Sequence, residues 1–214
     1  MTQKLILNRI SFANDSIEIF LPNPAAVKKV YEQQIEIVPE TPFPYWSQVW
    51  PSAVAMAQFL VENPAYIEHK KVLELAAGLG LPSLITSRIA KEVNCTDYLQ
   101  EAISTINQSI VHNKLTNITT SLLDWSKPPV PFPYYDVVLM SDVNYNPAEF
   151  EVLFSLFKTF LYQRSTIILT TPHRLLAKPF IERLMPWCKF KTEVEVSHIS
   201  GMVPISVMVF YTND

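Results

Sequence analysis

The chain has 214 residues, of which 49% are hydrophobic and 12% aromatic, so we expect one domain with a substantial core. The net charge of −3, without a stripe of lysine and arginine, argues against a nucleic-acid partner, because such affinity comes mostly from neutralising phosphates. No apolar run reaches the roughly 18 residues of a membrane span, and the first residues lack the apolar segment of a signal peptide. We therefore expect a cytoplasmic protein without a membrane partner.

Residues 1–70 are predicted to form an extension that precedes the core of the same domain. Its predicted elements are, in chain order, two strands around the turn "ANDS", a short helix after Pro24, the irregular segment "PETPFPYWSQVWPS", and a helix from Pro51 to Asn63. The strand after the turn is indicated by Ile17 and Ile19, which alternate with polar neighbours as in a strand with one buried face.

Residues 71–214 alternate between strand and helix patterns, which predicts an α/β fold. The predicted strands are "KVLELAA", "VNCTDY", "ITTSLLDW", "YYDVVLMSDV" and "STIILTTP", with helices at 82–91, 99–115, 148–162 and 174–187. Two further strands, "KFKTEVEVSH" and "PISVMVFY", are joined through "ISGMVP". We expect a doubly wound, mostly parallel seven-stranded sheet whose last strand is antiparallel, because a short connection reverses the chain.

Two of the three glycines, Gly78 and Gly80, lie in "KVLELAAGLGLPSL", directly after a buried strand. Glycine permits positive φ and lets a ligand approach the backbone, and doubly wound folds bind ligands at this turn. A dinucleotide site would need a third glycine where Ser83 stands. Glu74, inside the strand, must be hydrogen-bonded, either by a neighbouring loop, by the glycine turn or by a bound cation.

The alternative to a dinucleotide is suggested by an acidic residue followed by small residues at alternate positions. Glu74, Ala76, Gly78 and Gly80 resemble in this way the first motif of S-adenosylmethionine-dependent methyltransferases. Ala76 replaces the usual first glycine, and its methyl group is tolerable if that residue stays in the β region.

Two later strands end in acidic residues that suit a nucleoside. Asp97 can accept hydrogen bonds from both ribose hydroxyls, or it can cap the following helix. Asp124 can accept the exocyclic amine of adenine, and Trp125 can cover a face of the ring or pack at the edge of the core. Cys95 and Cys188 are too few for a disulfide framework and have no zinc-site spacing, so we expect reduced thiols and no metal.

Taken together, "WP…VLELAAGLGL…TD…LLDW…VVLMSDVNY" resembles the family-16 methyltransferases of the seven-β-strand class, which include many protein-lysine methyltransferases. The resemblance covers most of the chain, and "SFANDSIEI" is similar to their N-terminal hairpin. It implies S-adenosylmethionine as cofactor and an amine as methyl acceptor. The cofactor-binding residues that it implies are Trp50, Glu74, Ala76, Gly78, Gly80, Asp97, Asp124, Trp125 and Ser141, and the catalytic residues are Asp142 and Tyr145 of a D-x-x-Y motif.

The acceptor stays open between a protein lysine and a small-molecule amine. A NAD-dependent oxidoreductase is disfavoured by the missing third glycine, and an inactive nucleoside-binding module by the intact D-x-x-Y motif. Methylation of a nucleobase or glutamine is disfavoured because "SDVNYNP" lacks the double proline of those enzymes. His173 and Arg174 follow the fifth core strand and either contact the substrate or belong to a solvated loop.

Overall fold

The computed structural model describes residues 5–12, 15–198 and 201–212. The strands are β1 (Leu5–Phe12), β2 (Asp15–Pro22), β3 (Lys71–Leu75), β4 (Glu92–Asp97), β5 (Ile118–Leu122), β6 (Val137–Ser141), β7 (Thr166–Pro172), β8 (Cys188–His198) and β9 (Gly201–Phe210). The α-helices are α1 (Pro24–Ile37), α2 (Pro51–Glu62), α3 (Leu81–Thr86), α4 (Gln100–His112), α5 (Phe150–Tyr162) and α6 (Lys178–Leu184). Parts of the predicted turns "ANDS" and "ISGMVP", at 13–14 and 199–200, lie outside the described residues.

Seven strands form one sheet in the order β5-β4-β3-β6-β7-β9-β8, and β1 pairs with β2 in a separate hairpin. Strands β3 to β7 are parallel to one another, whereas β9 is antiparallel to both β7 and β8. The predicted α/β sheet with an antiparallel last strand is therefore confirmed. Since β9 inserts between β7 and β8, the strand that is last in the chain is not at the edge.

Helices cover both faces of the sheet and create two hydrophobic clusters. On one face, side chains of α2, α3, α4 and the hairpin form a cluster that includes Leu60, Leu84 and Ile106. On the other face, α5 and α6 contribute Phe157 and Phe180. Neighbouring residues of β3 point to opposite faces, and burial on both sides explains why the central strands are almost continuously apolar.

Two predicted elements are shorter than the sequence pattern indicates. The helix predicted at 82–91 ends at Thr86, because the chain then turns and the Lys91 N–H donates to the carbonyl of Lys70. The strand predicted for "ITTSLLDW" ends at Leu122. There Asp124 accepts the backbone N–H of Ser126 at 2.9 Å, a local turn that replaces the strand ladder.

The hairpin is attached to the core rather than standing apart from it. Ile17 and Ile19 of β2 are buried in the cluster beneath α2 to α4. The Phe20 N–H donates to the Ser109 hydroxyl of α4 at 3.0 Å, and Arg88 donates to the Asp15 carboxylate at 2.6 Å. Within the described part of the chain, no helix has the length and apolar character needed to cross a membrane.

The buried face of the hairpin generates a test of this attachment. Ile19 has no exposed surface, so Ile19→Ala is expected to lower the free energy of unfolding by about 2–5 kcal/mol. Leu7, which lies in the same hairpin and is 39% exposed, is the matched control, and Leu7→Ala is expected to change it by less than about 0.5 kcal/mol. Urea unfolding measures both variants, and equal effects would contradict the burial of Ile19 against the core.

Candidate active site

A cavity of about 360 Å³ opens at the carboxyl ends of β3, β4 and β6. This is the edge at which open α/β sheets bind ligands, because neighbouring parallel strands end there together. Three segments that follow these strands form its floor, and the segment before α2, together with Arg174, completes the walls. Sequence-predicted residues that line it are Trp50, Ala76, Gly78, Gly80, Asp97, Ser141, Asp142 and Tyr145.

The turn between β3 and α3 takes a left-handed conformation at every second residue. The φ angles are +50° at Ala76, +57° at Gly78 and +71° at Gly80. The condition under which the methyl group of Ala76 would be tolerated, that this residue stays in the β region, is therefore not met. The turn imposes the same backbone conformation there as at the two glycines, and a left-handed alanine costs on the order of 1 kcal/mol.

The two glycines differ in the space around them. A Cβ atom at Gly78 would lie 3.5 Å from the carbonyl oxygen of Trp46, an ordinary contact, so Gly78 is favoured by its φ rather than by a lack of space. A Cβ atom at Gly80 would lie 3.1 Å from Cys95 Sγ and 3.2 Å from the Ile106 side chain. Gly80 is thus required both by its φ and by the packing of α4 on the sheet.

Glu74 lies below the turn and does not line the cavity. Its carboxyl accepts the backbone N–H of Ser83 at 2.9 Å, which attaches the start of α3 to β3. Complete burial raises the pKa of Glu74 to about 8, against the opposing effect of the Ser83 hydrogen bonds. The carboxyl is therefore largely protonated at neutral pH and stabilises the turn, and its predicted contact with a cofactor stays a prediction.

Asp97 ends β4 and faces the cavity from beneath the glycine turn. One carboxylate oxygen accepts the Gly78 N–H at 2.9 Å and the other accepts the Leu99 N–H at 3.0 Å. Burial raises the pKa of Asp97, whereas these backbone hydrogen bonds lower it. A carboxylate offers about four lone-pair sites, so acceptor capacity remains on Asp97 for ligand hydroxyl groups.

Asp142 and Arg174 form an ion pair at the mouth of the cavity. Asp142 follows β6 with a φ of +58°, and its N–H donates to the carbonyl of Thr170 in β7 at 2.8 Å. Both Nη nitrogens of the Arg174 guanidinium donate to the Asp142 carboxylate, with Nη2 to Oδ2 at 2.8 Å. The sequence allowed two interpretations of Arg174, a substrate contact or a residue of a solvated loop. Its side chain is part of the cavity wall.

Aromatic rings form another part of the cavity wall. The Trp50 indole N–H donates to the carbonyl of Tyr45 at 2.7 Å. The ring of Tyr45 lies 5.8 Å from that of Trp50 and 5.6 Å from that of Tyr145. Burial, reinforced by the carboxylate of Glu149 nearby, raises the pKa of Tyr145 to about 12. The Tyr145 hydroxyl is therefore protonated at neutral pH.

Asp124 and Trp125 do not join this group. Asp124 is exposed and its carboxylate accepts both the N–H and the hydroxyl of Ser126. Trp125 packs against the cluster beneath α5 and lines a separate groove beside residues 128–132. On the corresponding side of the cavity the structure instead has Tyr98 and Leu99, so the predicted adenine contacts of Asp124 and Trp125 stay predictions.

Two further residues at the site were not predicted to belong to it. Tyr98 lines the cavity, and no motif distinguished this tyrosine from other surface aromatics. Asn144 is fully buried beneath the mouth, and neither atom of its amide has a hydrogen-bond partner among the described residues. The sequence signal was a polar residue inside "SDVNY", directly between the two catalytic candidates.

The family model described as "Lysine methyltransferase" matches residues 31–185 of the chain. The histone-arginine methyltransferase METTL23 of Rattus norvegicus is 32% identical over 135 residues, which cover 61% of this chain and 59% of that protein. Its Homo sapiens counterpart is 26% identical over 157 residues, covering 71% of this chain and 80% of the relative. The protein N-lysine methyltransferase METTL21A of Xenopus tropicalis is 25% identical over 126 residues, covering 58% and 59%. The chain thus spans less than two thirds of the rat and frog relatives.

Solved structures share the fold at low sequence identity. A Thermoplasma acidophilum protein superposes with a TM-score of 0.59 at 13% identity, covering 75% of this chain and 90% of that one. The tRNA methyltransferase TrmI of Aquifex aeolicus superposes with a TM-score of 0.57 at 14% identity, covering 78% and 71%. These likenesses show the Rossmann-like fold.

The left-handed turn generates a stability prediction for its three small residues. Ala76→Gly is expected to raise the free energy of unfolding by about 0.5–1 kcal/mol, because relief of the positive-φ penalty exceeds the added entropy of the unfolded chain. Gly78→Ala is expected to lower it by about 1 kcal/mol, and Gly80→Ala by more, because its Cβ also crowds Cys95 and Ile106. Urea unfolding gives the order, and a destabilised Ala76→Gly variant would refute the reasoning.

The raised pKa of Glu74 generates a prediction about pH. Between its unfolded value near 4.5 and its folded value of about 8, only the folded state keeps the proton, so stability falls as pH rises. The slope approaches about 1.4 kcal/mol per pH unit in that window. Glu74→Gln removes this proton and is expected to give a flatter profile, measured by urea unfolding between about pH 5 and pH 8. Asp97 is unchanged in the variant, so parallel profiles would show that Glu74 does not titrate as described.

Proposed function

Because this chain belongs to the family of lysine methyltransferases, which use S-adenosylmethionine, we propose that it transfers a methyl group to a side-chain nitrogen of a protein, with lysine as the acceptor. The observation that carries the proposal is the convergence of the glycine turn, Asp97 and the D-x-x-Y residues on one cavity. These residues follow different strands, and the fold brings Asp97 beneath the glycine turn and the Asp142 carboxylate at the mouth into one cavity.

The cavity fits S-adenosylmethionine in size and in its polar groups. Its volume of about 360 Å³ lies in the range of small-molecule sites. Asp97 keeps acceptor capacity for the ribose hydroxyls, as described above. The hydroxyl of Ser141 borders the cavity and is buried without a hydrogen-bond partner among the described residues, so it can bind a polar group of the cofactor. The rings of Trp50 and Tyr45 suit a cationic sulfonium.

When bound, S-adenosylmethionine would supply a methyl group carried on its sulfonium sulfur. The acceptor nitrogen would form a bond to the methyl carbon while the C–S bond breaks, and the sulfur would keep the electron pair of that bond. A lysine acceptor is protonated at neutral pH and must first lose a proton, which passes to water. Asp142 can bind the ammonium form and hold the acceptor at the mouth. Tyr145 has a pKa near 12, so its hydroxyl orients the amine through a hydrogen bond and does not act as a base.

The choice of a protein acceptor is supported by the names of the relatives. METTL23 is named a histone-arginine methyltransferase and METTL21A a protein N-lysine methyltransferase. Both names describe methylation of a side-chain nitrogen in a protein. Lysine is the acceptor in the description of the family model, and a small-molecule amine is the second candidate because the cavity mouth by itself requires only a nitrogen nucleophile.

Binding of S-adenosylhomocysteine tests the cofactor site. Calorimetry is expected to detect binding of S-adenosylhomocysteine and none of NAD. Asp97→Ala is expected to weaken the binding of S-adenosylhomocysteine at least about tenfold, because the ribose hydroxyls lose a charged hydrogen-bond acceptor. Asp124→Ala is the matched control: this carboxylate is exposed and outside the cavity, and we expect a change below about twofold. Binding of NAD but not of S-adenosylhomocysteine would overturn the proposed function. A large loss of affinity in Asp124→Ala would instead support the predicted contact between Asp124 and adenine.

The acceptor is identified by transfer of a tritiated methyl group from S-adenosylmethionine into fractionated cell lysate. Label is expected in protein and, after hydrolysis, in methylated lysine. Asp142→Ala is expected to reduce incorporation at least about tenfold through loss of acceptor binding. Label found only in small molecules would reject the protein acceptor and favour the second candidate.

A further inference from the structure

We propose that Arg174 occupies the acceptor subsite in the resting protein and lowers the affinity for a cationic acceptor, which must compete with the guanidinium for the carboxylate of Asp142. In the resting protein the Arg174 guanidinium pairs with the carboxylate that the acceptor needs, and the acceptor must displace it. The inference rests on the proposed function, since it concerns the acceptor side of the same cavity.

The pair has the geometry of a fully formed charge-assisted contact. Two guanidinium nitrogens meet the two oxygens of Asp142, an arrangement that arginine forms more specifically than lysine. The Asp142 side chain is only 12% exposed, whereas that of Arg174 is 33% exposed. The carboxylate is therefore fixed inside the mouth, and the arginine reaches it from the solvent side.

Among the described residues, no other side chain that lines the cavity can take over either role. Among the described residues that line it, Arg174 is the only cation, and Asp97 is the only carboxylate besides Asp142. Asp97 already accepts the N–H groups of Gly78 and Leu99 beneath the turn. An ammonium that enters while Arg174 remains in position meets a neutralised carboxylate and a second positive charge, so it is repelled rather than bound.

Displacement of Arg174 costs little compared with the loss of a buried ion pair. Its side chain is partly exposed and follows the end of β7, so the guanidinium can turn outward and regain water. A neutral ligand of the same shape gains nothing from this movement. A cationic acceptor replaces the ion pair between Arg174 and Asp142 with its own ion pair to Asp142. That new pair compensates for the loss of water around the acceptor.

The test uses n-butylammonium as a probe for a lysine side chain and n-butanol as its uncharged counterpart, each titrated by NMR into protein saturated with S-adenosylhomocysteine. Arg174→Gln is expected to bind n-butylammonium about tenfold more tightly than the unaltered protein, with n-butanol binding unchanged. The double variant Arg174→Gln/Asp142→Asn is expected to lose that gain, because the freed carboxylate is its source.

Arg174→Lys provides a second measure, because lysine keeps the charge without the two-pronged contact, and we expect a smaller gain of the same sign. Thermal unfolding shows whether Arg174→Gln is folded. If it is not, n-butylammonium binding to Arg174→Lys tests the competition for Asp142 in its place. Equal or weaker n-butylammonium binding in the folded variants would overturn the proposal and make Arg174 a residue that merely holds Asp142 in place. Failure of S-adenosylhomocysteine to bind the unaltered protein would instead contradict the proposed function.

Discussion

The structure depends on a backbone turn that must be left-handed at every second residue between β3 and α3. Ala76, Gly78 and Gly80 share this conformation, which is costly for any residue with a side chain. Two carboxyl groups hold the turn from below: Glu74 accepts the N–H of Ser83, and Asp97 accepts that of Gly78. Glu74 and Asp97 therefore have a structural role in the turn. Asp97 can bind a ligand as well, because its carboxylate has acceptor sites that the turn leaves unused.

The parallel sheet converts residues that are far apart in sequence into one cavity. Asp142 ends β6 with positive φ, and its N–H binds the Thr170 carbonyl, so the neighbouring strand β7 fixes the backbone of the D-x-x-Y motif. Arg174 reaches the same carboxylate from the segment after β7. The extension supplies the remaining wall through Tyr45 and Trp50, and the Trp46 backbone lies against Gly78. The site is thus assembled by strand ends, and the extension closes it.

Much of the fold follows from local patterns. Central strands such as β6 are continuously apolar because both faces are buried, whereas β8 alternates polar and apolar residues as an edge strand does. The ends of β3, β4 and β6 were located well enough to predict Gly78, Asp97 and Asp142 at one edge. Strand β5 was different, because the Asx turn at Asp124 ends it early. The residues of the "LLDW" motif therefore lie outside the cavity, and their predicted adenine contacts stay predictions.

The sequence by itself determined the α/β class, the antiparallel last strand and the family, since these depend on hydrophobic periodicity and on motifs of a few consecutive residues. Only the tertiary structure decided the conformation of Ala76, the position of β9 between β7 and β8, and the partner of Asp142. The physical reason is that each of these is set by groups distant in sequence. Backbone strain is tolerated where the surrounding packing and hydrogen bonds enforce it, and an ion pair such as that of Asp142 with Arg174 forms only when two strand ends lie side by side.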